Sequence, residues 1–297
     1  EEDAEILFVG AKGRMEMTRI PKAGYKIIGL NVSGFQRKFS LVNLFKNTLF
    51  PFRLIGSLFH AYWIVKSFKP DVVIGVGGFA SGPTLKMAVL QKIPTLIQEQ
   101  NSFPGVTNRM LAPKVNKICA AYQEVDKYFP PEKIIITGNP IRSDIRHINK
   151  KTNEAYEFFK LDPSKKTIAI IGGSLGSKTM NVSIEASLLK IKEQHLQLIW
   201  QTGEKYYTHF FEADQSLLNG TIKIMPFVER MDYLYSVADL IISRAGAISI
   251  SELSCLEKPC ILIPSPNVSG DHQTKNAMAL SNKKAAIMIS DNDAIKQ

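Results

Sequence analysis

The stretch TIAIIGGSLGSKTMN, residues 167–181, constrains this chain more than any other. A β-branched run, apolar enough to be buried on both faces, breaks into glycines and then into a helical pattern. That is how a parallel strand feeds a helix across a tight turn. Gly172 and Gly173 permit the turn, and Ser174 is placed to cap the helix. The N–H groups at a helix start are unpaired and carry partial positive charge, so such a turn can hold an anion such as a diphosphate. The dipole alone contributes only about 0.3–1 kcal/mol at an exposed site, so other groups have to share the task. The same residues also fit a purely structural strand-to-helix turn.

Strand-like and helical segments alternate along the whole chain. EILFV, YKIIGL, DVVIGV, PTLIQ, NKICAAY and KIIITG precede residue 143, and TIAII, LQLIWQ, IKIMPF, DLIIS, PCILIP and AAIMI follow residue 166. This predicts an α/β protein of two Rossmann-like doubly wound domains facing a cleft, with ligands at the carboxyl ends of the strands. The expected boundaries are 1–142 for an N-terminal domain on the acceptor and membrane side, 143–166 for a charged, weakly patterned connection, and 167–297 for a C-terminal nucleotide-sugar-binding domain. A length of 297 residues is enough for two ordinary cores. Both ends read as cut. The chain opens within a few residues of a strand and stops at DNDAIKQ, where another helix is expected to begin.

Charge and cysteine usage narrow the class. With 37 Lys plus Arg against 27 Asp plus Glu, the net charge of +10 predisposes the surface to acidic partners: nucleic acid, anionic lipid or phosphorylated substrates. Cys119, Cys255 and Cys260 form no CxxC pair, so neither a disulfide framework nor a zinc site is indicated, and a reducing cytosol fits. No apolar run approaches a membrane span, and EEDAE is the opposite of a signal peptide.

From Gly34 to Lys69 there is no acidic residue, while Arg37, Lys38, Lys46, Arg53, Lys66 and Lys69 are basic. A core-facing stripe of Ile55, Leu58, Tyr62 and Val65 would suffice for one helix, yet Phe50, Phe52, Phe59 and Trp63 are also large and apolar. The region fits either an interfacial surface for anionic lipid or a buried helix with basic ends. GVGGFASGP, residues 75–83, is either a second phosphate cradle, with Gly77, Gly78 and the Ser81 hydroxyl, or a tight turn. Glu99, Gln100 and Asn101 fall at a strand's carboxyl end. In GNPIR, Arg142 is aimed either at a phosphate or at Asp144.

The densest constellation follows residue 225. Strand DLIIS runs into Arg244, Ala245, Gly246 and Ala247, with a helix from about Ile248 and Glu252 one turn in. A carboxylate so placed can accept both hydroxyls of a ribose. GDHQTKNA sets His272, Gln273 and Asn276 at a further strand-to-helix transition, where amides can read sugar hydroxyls. The Asp291-Asn292-Asp293 triplet is expected to cap a helix rather than to clamp a metal, and no metal site is predicted.

GVGGFASGP, EQNSFPGVTNRMLA, GNPIR, GGSLGSKTMN, QTG at 201–203, RAGAISISE and DHQTKNA occur in the order of a known family over nearly the whole chain. In these residues the chain resembles the MurG family. Those enzymes move N-acetylglucosamine from UDP-N-acetylglucosamine to undecaprenyl-pyrophosphoryl-N-acetylmuramoyl-pentapeptide, lipid I to lipid II, in bacterial peptidoglycan synthesis. The resemblance implies a GT-B fold and an inverting, metal-independent and cofactor-free transfer to the acceptor's 4-hydroxyl. It implies a peripheral place on the cytoplasmic face of the inner membrane, with the anionic membrane surface as a partner and no nucleic acid.

The resemblance also implies donor contacts from Asn101, Arg142, Ser174, Val228, Gly246 and Gln273, with Glu252 on the ribose and Phe227, Ala247, Ile248 and Ser249 around the uracil. It places the membrane patch at Phe50, Phe52, Phe59 and Trp63, and Gly77, Gly78 and Ser81 stand as the candidate acceptor or diphosphate loop. The family's proposed catalytic His lies on an N-terminal glycine-rich loop expected to precede residue 1. Gln98 stands where the family has another His, which leaves Glu99 as the nearby carboxylate for proton transfer. The family's last helix is likewise expected beyond residue 297.

Four rivals remain at the level of sequence. A UDP-N-acetylglucosamine 2-epimerase or another glycolipid glycosyltransferase would share the fold, although an epimerase needs no basic aromatic patch. A dinucleotide-dependent oxidoreductase would need a G-x-G-x-x-G loop and a strand-end acid about 20 residues on, and neither glycine loop provides it. A non-enzymatic lipid or nucleic-acid binder accounts for the charge but leaves the polar groups at successive strand ends without a purpose.

Overall fold

The protein is described from a computed structural model covering residues 4–32, 50–148, 151–212 and 220–295. The chain divides into two compact units, Glu1–Gly138 and Asn139–Gln297.

Unit 1 contains strands β1 (Leu7–Ala11), β2 (Lys26–Leu30), β3 (Val73–Gly75), β4 (Thr95–Glu99), β5 (Lys117–Ala120) and β6 (Ile134–Ile136). Its helices are α1 (Glu16–Lys22), α2 (Phe50–Phe68), α3 (Gly78–Leu90) and α4 (Val106–Leu111). All strand pairs are parallel, β1 with β2 and then β3-β4-β5-β6 in order. Helix α3 joins the two sets. Ala80 and Met87 pack with Leu30, Ala61 and Ile64, while Leu85 packs with Ile97 and Ile118.

Helix α2 buries Ser57, Ala61, Ile64 and Val65. The core stripe therefore differs from the expected one: Ile55 is exposed, Leu58 and Tyr62 are half-buried, and only Val65 is shared. Phe52, Ile55, Phe59 and Trp63 form a second, exposed stripe at helical spacing. Phe50 is half-buried, and Arg37, Lys38 and Lys46 lie outside the described residues. Among the described residues no helix is long and apolar enough to cross a membrane.

Unit 2 is built on one parallel sheet of β7 (Thr167–Ile171), β8 (Gln197–Gln201), β9 (Ile222–Met225), β10 (Leu240–Ser243), β11 (Cys260–Leu262) and β12 (Ile287–Met288), in the order β12-β11-β10-β7-β8-β9. The chain winds outward one way from β7 and then, through β10, the other way. This doubly wound order leaves a topological switch point between β7 and β10. Alternate residues of β7 serve opposite faces, Ala169 and Ile171 in one core and Ile170 in the other, so the strand is buried on both sides as its composition predicts.

Residues 143–166, expected as a connection, carry α5 (Ser143–Arg146) and α6 (Asn153–Phe159). Ile145, Ala155, Tyr156, Phe159 and Leu161 are buried in the core of unit 2. The remaining helices are α7 (Lys178–Glu193), α8 (Glu204–Glu212), α9 (Met231–Val237), α10 (Ala247–Cys255) and α11 (His272–Ser281). Met180, Ile184, Leu188 and Ile191 give α7 its buried stripe.

Candidate active site

At the switch point the carboxyl ends of β7, β10 and β11 open onto a concavity of about 370 Å³, with Gly173, Ser174, Ser177, Arg244, Ser265 and Gln273 among its walls. Helix α7 begins three residues later than expected. Ser177, not Ser174, is its N-cap and accepts from the Met180 N–H at 3.2 Å. Ser174 is left exposed in the loop. The loop is longer because Gly173 and Gly176 both take positive φ, 83° and 74°. The Gly176 N–H returns to the Gly173 carbonyl at 3.0 Å.

Gln201, buried at the end of β8, links this loop to the next. Its Nε2 donates to the Gly173 carbonyl and its Oε1 accepts from the Val228 N–H, each at 3.0 Å. Val228 is thereby buried with its N–H engaged, while Phe227 beside it is exposed. Asn181 on α7 donates to the Thr202 carbonyl at 3.0 Å and accepts from the Trp200 indole at 3.0 Å, which fixes the base of the loop.

Gly246 is the N-cap of α10, so Ala247, Ile248 and Ser249 form its first turn, with Ile248 exposed. Glu252 follows on the buried side, its side chain 9% exposed. The Tyr235 hydroxyl donates to its Oε2 at 2.8 Å, and the Arg142 Nε lies 3.9 Å from its Oε1 and 3.7 Å from Asp144. Both readings of Arg142 thus have a footing: it faces Asp144 and remains half-exposed. Burial pushes the Glu252 carboxyl above the ordinary carboxylate value, opposed by the Tyr235 hydrogen bond and the Arg142 charge. Burial, and then the adjoining carboxylate, push the Tyr235 phenol well up, so its proton stays on oxygen.

Arg244, at the end of β10, donates to the carbonyls of Ile263 and Pro264 at 3.1 and 3.0 Å and to the Ser177 hydroxyl, and it pairs with Asp291. Asp291 also accepts from the Thr179 hydroxyl at 2.9 Å. The expected helix cap at 291–293 is therefore not what Asp291 does. Residues 291–295 form turns, and this carboxylate ties α7 and Arg244 to the chain after β12. Gln273, in the first turn of α11, accepts from the Ser265 N–H at 2.8 Å through Oε1, which leaves its Nε2 as the donor end.

In unit 1, Gly77 caps α3 and Gly78 opens it, with φ of 87° and 79°. Among the described residues the buried Ser81 hydroxyl has no hydrogen-bond partner, and it is packed where a Cβ at Gly75 would stand. Glu99, 2% exposed at the end of β4, accepts from the Asn101 and Gly105 amides at 3.0 Å and from the side-chain amides of Asn101 and Asn108 at 3.3 and 2.8 Å. Four donors occupy both of its oxygens. Such a carboxylate organises a loop, and it offers no open lone pair for the proton transfer expected of it. Tyr235 was not singled out by sequence, and Gln201 and Arg244 were quoted only within motifs without these roles, because each acts through partners distant along the chain.

Residues 1–120 match the family model of the Glycosyltransferase family 28 N-terminal domain, and residues 167–297 that of the Glycosyltransferase family 28 C-terminal domain. The chain is 54% identical over 294 residues to the UDP-N-acetylglucosamine--N-acetylmuramyl-(pentapeptide) pyrophosphoryl-undecaprenol N-acetylglucosamine transferase of Parabacteroides distasonis, covering 99% of this chain and 79% of that protein. Among solved structures it resembles MurG of Acinetobacter baumannii, at 28% identity and a TM-score of 0.73, covering 97% of this chain and 78% of that one. A UDP-GlcNAc 2-epimerase from Methanocaldococcus jannaschii, at 14% identity and a TM-score of 0.60 over 98% of this chain and 90% of that one, shares the fold alone. Two family 28 domains in order, on parallel α/β units of the GT-B kind, and 54% identity over 294 aligned residues leave one assignment: this chain belongs to the MurG family of glycosyltransferases.

Proposed function

We propose that this chain transfers N-acetylglucosamine from UDP-N-acetylglucosamine to the muramoyl 4-hydroxyl of undecaprenyl-pyrophosphoryl-N-acetylmuramoyl-pentapeptide. The observation that carries the reading is the switch-point site of unit 2, where a glycine loop and three strand ends converge, with the buried carboxylate of Glu252 on α10, the helix that follows β10. The acceptor oxygen forms a bond to the anomeric carbon as the bond to the UDP oxygen breaks. The electron pair leaves with UDP, the hydroxyl proton passes to a base, and the anomeric configuration inverts. Stabilising the growing charge on the diphosphate is the main electrostatic task. The amides of the loop about Gly173 and Ser174 that leads into α7, and Arg142 at the start of α5, are the groups of this chain suited to it.

In this reading Glu252 accepts the ribose hydroxyls, Phe227, the Val228 backbone and the first turn of α10 from Ala247 to Ser249 receive the uracil, and Gln273 addresses the sugar through its Nε2. Gly77, Gly78 and Ser81 keep the acceptor or diphosphate role and Asn101 a donor contact, with Glu99 holding the loop that carries Asn101. The exposed stripe of α2 supports a peripheral position on the cytoplasmic face of the membrane, where a water-soluble nucleotide sugar and a lipid-borne acceptor can meet.

Calorimetric titration with UDP-N-acetylglucosamine, with UDP-glucose and NADH for comparison and Glu252→Ala alongside, tests the donor site. Binding selective for UDP-N-acetylglucosamine and strongly weakened, yet still measurable, in the variant is expected. Preference for NADH, or selective binding untouched by Glu252→Ala, overturns the assignment.

A further inference from the structure

We propose that Tyr235 is a positioning residue for the donor's ribose, holding Glu252 by Oε2 so that Oε1 is presented to the 2′- and 3′-hydroxyls. The inference rests on the donor reading above and names a residue that the reading does not include.

Glu252 lies in the second turn of α10 with its side chain nearly buried, and three groups of its surroundings bear on its charge. Tyr235 reaches it from α9, with the phenol hydroxyl 2.8 Å from Oε2. Arg142 and Asp144, at the start of α5, act with opposite sign, one attracting and one repelling its charge. A ribose presents two hydroxyl donors, so the carboxyl has to stay ionised and in one rotamer to accept them both. A carboxylate has about four lone-pair sites. One bond from Tyr235 to Oε2 leaves Oε1 free of side-chain donors at hydrogen-bonding distance among those described, with Arg142 at 3.9 Å.

Tyr235 is suited to this by its own packing. It is 1% exposed in the core that also contains Leu234, Leu253 and Ile250, so its ring is fixed and its hydroxyl has no water to exchange with. Without that hydroxyl, Oε2 would be buried and unpaired. The carboxyl would then turn, or take up a proton, and a protonated acid can no longer accept from both ribose hydroxyls.

The test titrates the 297-residue chain with UDP and with 2′,3′-dideoxy-UDP, for the unmodified protein and for Tyr235→Phe. Tyr235→Phe is expected to weaken UDP roughly tenfold, the usual consequence of losing a hydrogen bond to a charged group, and to weaken the dideoxy nucleotide much less. The ratio of the two affinities therefore shrinks. Equal weakening of both nucleotides, or of neither, overturns the proposal, since a purely structural tyrosine would not read the sugar. A second arm compares Glu252→Ala with Glu252→Ala/Tyr235→Phe, which removes both partners and decides the matter even should Tyr235→Phe alone not fold. Equal UDP affinity in that pair supports action through Glu252, and a further loss overturns it. An unmodified protein that binds no UDP removes the donor reading and this inference together, whereas UDP binding with an unchanged ratio removes only the inference.

Discussion

Gly176 and Gly203 meet backbone to backbone: a Cβ at Gly203 would stand 2.5 Å from the Gly176 nitrogen, and one at Gly176 would collide with the Thr202 carbonyl oxygen. The glycine loop after β7 is thus seated directly on the turn after β8, with no side chain between them. Gly176 also has φ of 74°, so a substitution there meets strain and collision together. Gly173, at φ of 83°, has open space around its Cβ position. Gly173→Ala is expected to cost about 1–2 kcal/mol, the left-handed penalty alone. Gly176→Ala is expected to cost more than that and to displace the loop. Denaturant melts of the two variants check the order, and equal costs would show that the loop yields.

Glu252→Gln is expected to stabilise the protein at neutral pH while weakening the donor. The folded-state pKa of Glu252 is raised, burial being the largest cause. The folded protein therefore favours the neutral acid, and stability is lost as pH rises from the ordinary carboxylate value through the folded one. Glutamine keeps an acceptor for Tyr235 and carries no charge. The gain should be absent below the ordinary carboxylate pKa, near pH 4, grow through that window, and level off above it. Melting temperatures of both proteins across the acid range, with UDP titrations at neutral pH, give the two readings. A variant less stable at every pH would show that the charge stabilises the site.

Much of this was visible in local sequence. The strands were legible because a buried parallel strand must be a short β-branched run, and the turns because glycines punctuate them. The start of α7 was misplaced since Gly176 extends the loop, which neighbouring residues do not reveal. The stripe of α2 was misphased for a different reason. With apolar residues around most of the helix, only packing on α3 decides that Ala61 and Ile64 face inward and Ile55 outward. Tyr235 and Glu252 are 17 positions apart and Gln201 and Val228 are 27 apart, so their pairing is a property of the sheet and not of any motif. Glu99 looked catalytic by position, and its four donors come from the loop it precedes and from Asn108 on α4.

Asp239, at the entrance to β10, should govern part of the acid stability of unit 2. Its carboxylate accepts from the Thr167 N–H at 3.0 Å and pairs with Lys151 and Lys166, each at 2.9 Å. Burial works to raise its pKa, but the Thr167 amide and the two lysines outweigh it and hold the group below its ordinary value. The stabilisation is therefore present above the ordinary carboxylate pKa and lost as pH falls below it through the folded one. Lys166 is 74% exposed and contributes little, so the amide bond dominates. Asp239→Asn is expected to cost about 1–2 kcal/mol at neutral pH, and Lys166→Ala less than about 0.5 kcal/mol. Chemical denaturation at pH 7 and pH 3 checks both, and a cost for Asp239→Asn that persists undiminished in acid would contradict the linkage.

The exposed stripe of α2 is expected to carry membrane attachment. Phe52 and Trp63 are 73% and 48% exposed, and Phe59 packs edge-on against Trp63 at 6.2 Å. The Lys66 ammonium stands 5.1 Å from the Trp63 ring, so a cation is poised beside the aromatic surface, as an interface with anionic lipid requires. Because these side chains are exposed, replacing Phe52 and Trp63 by Ser should leave the melting temperature nearly unchanged. Each ring buried in an interface is worth about 1.5 kcal/mol or more, so the double variant should bind anionic vesicles at least about tenfold more weakly. Neutral vesicles separate the two contributions: the lysine and arginine part should fall away there and at high salt, while the aromatic part remains. A correctly folded double variant that binds anionic vesicles as the unmodified chain does would exclude this stripe as the attachment surface, whatever the basic residues contribute.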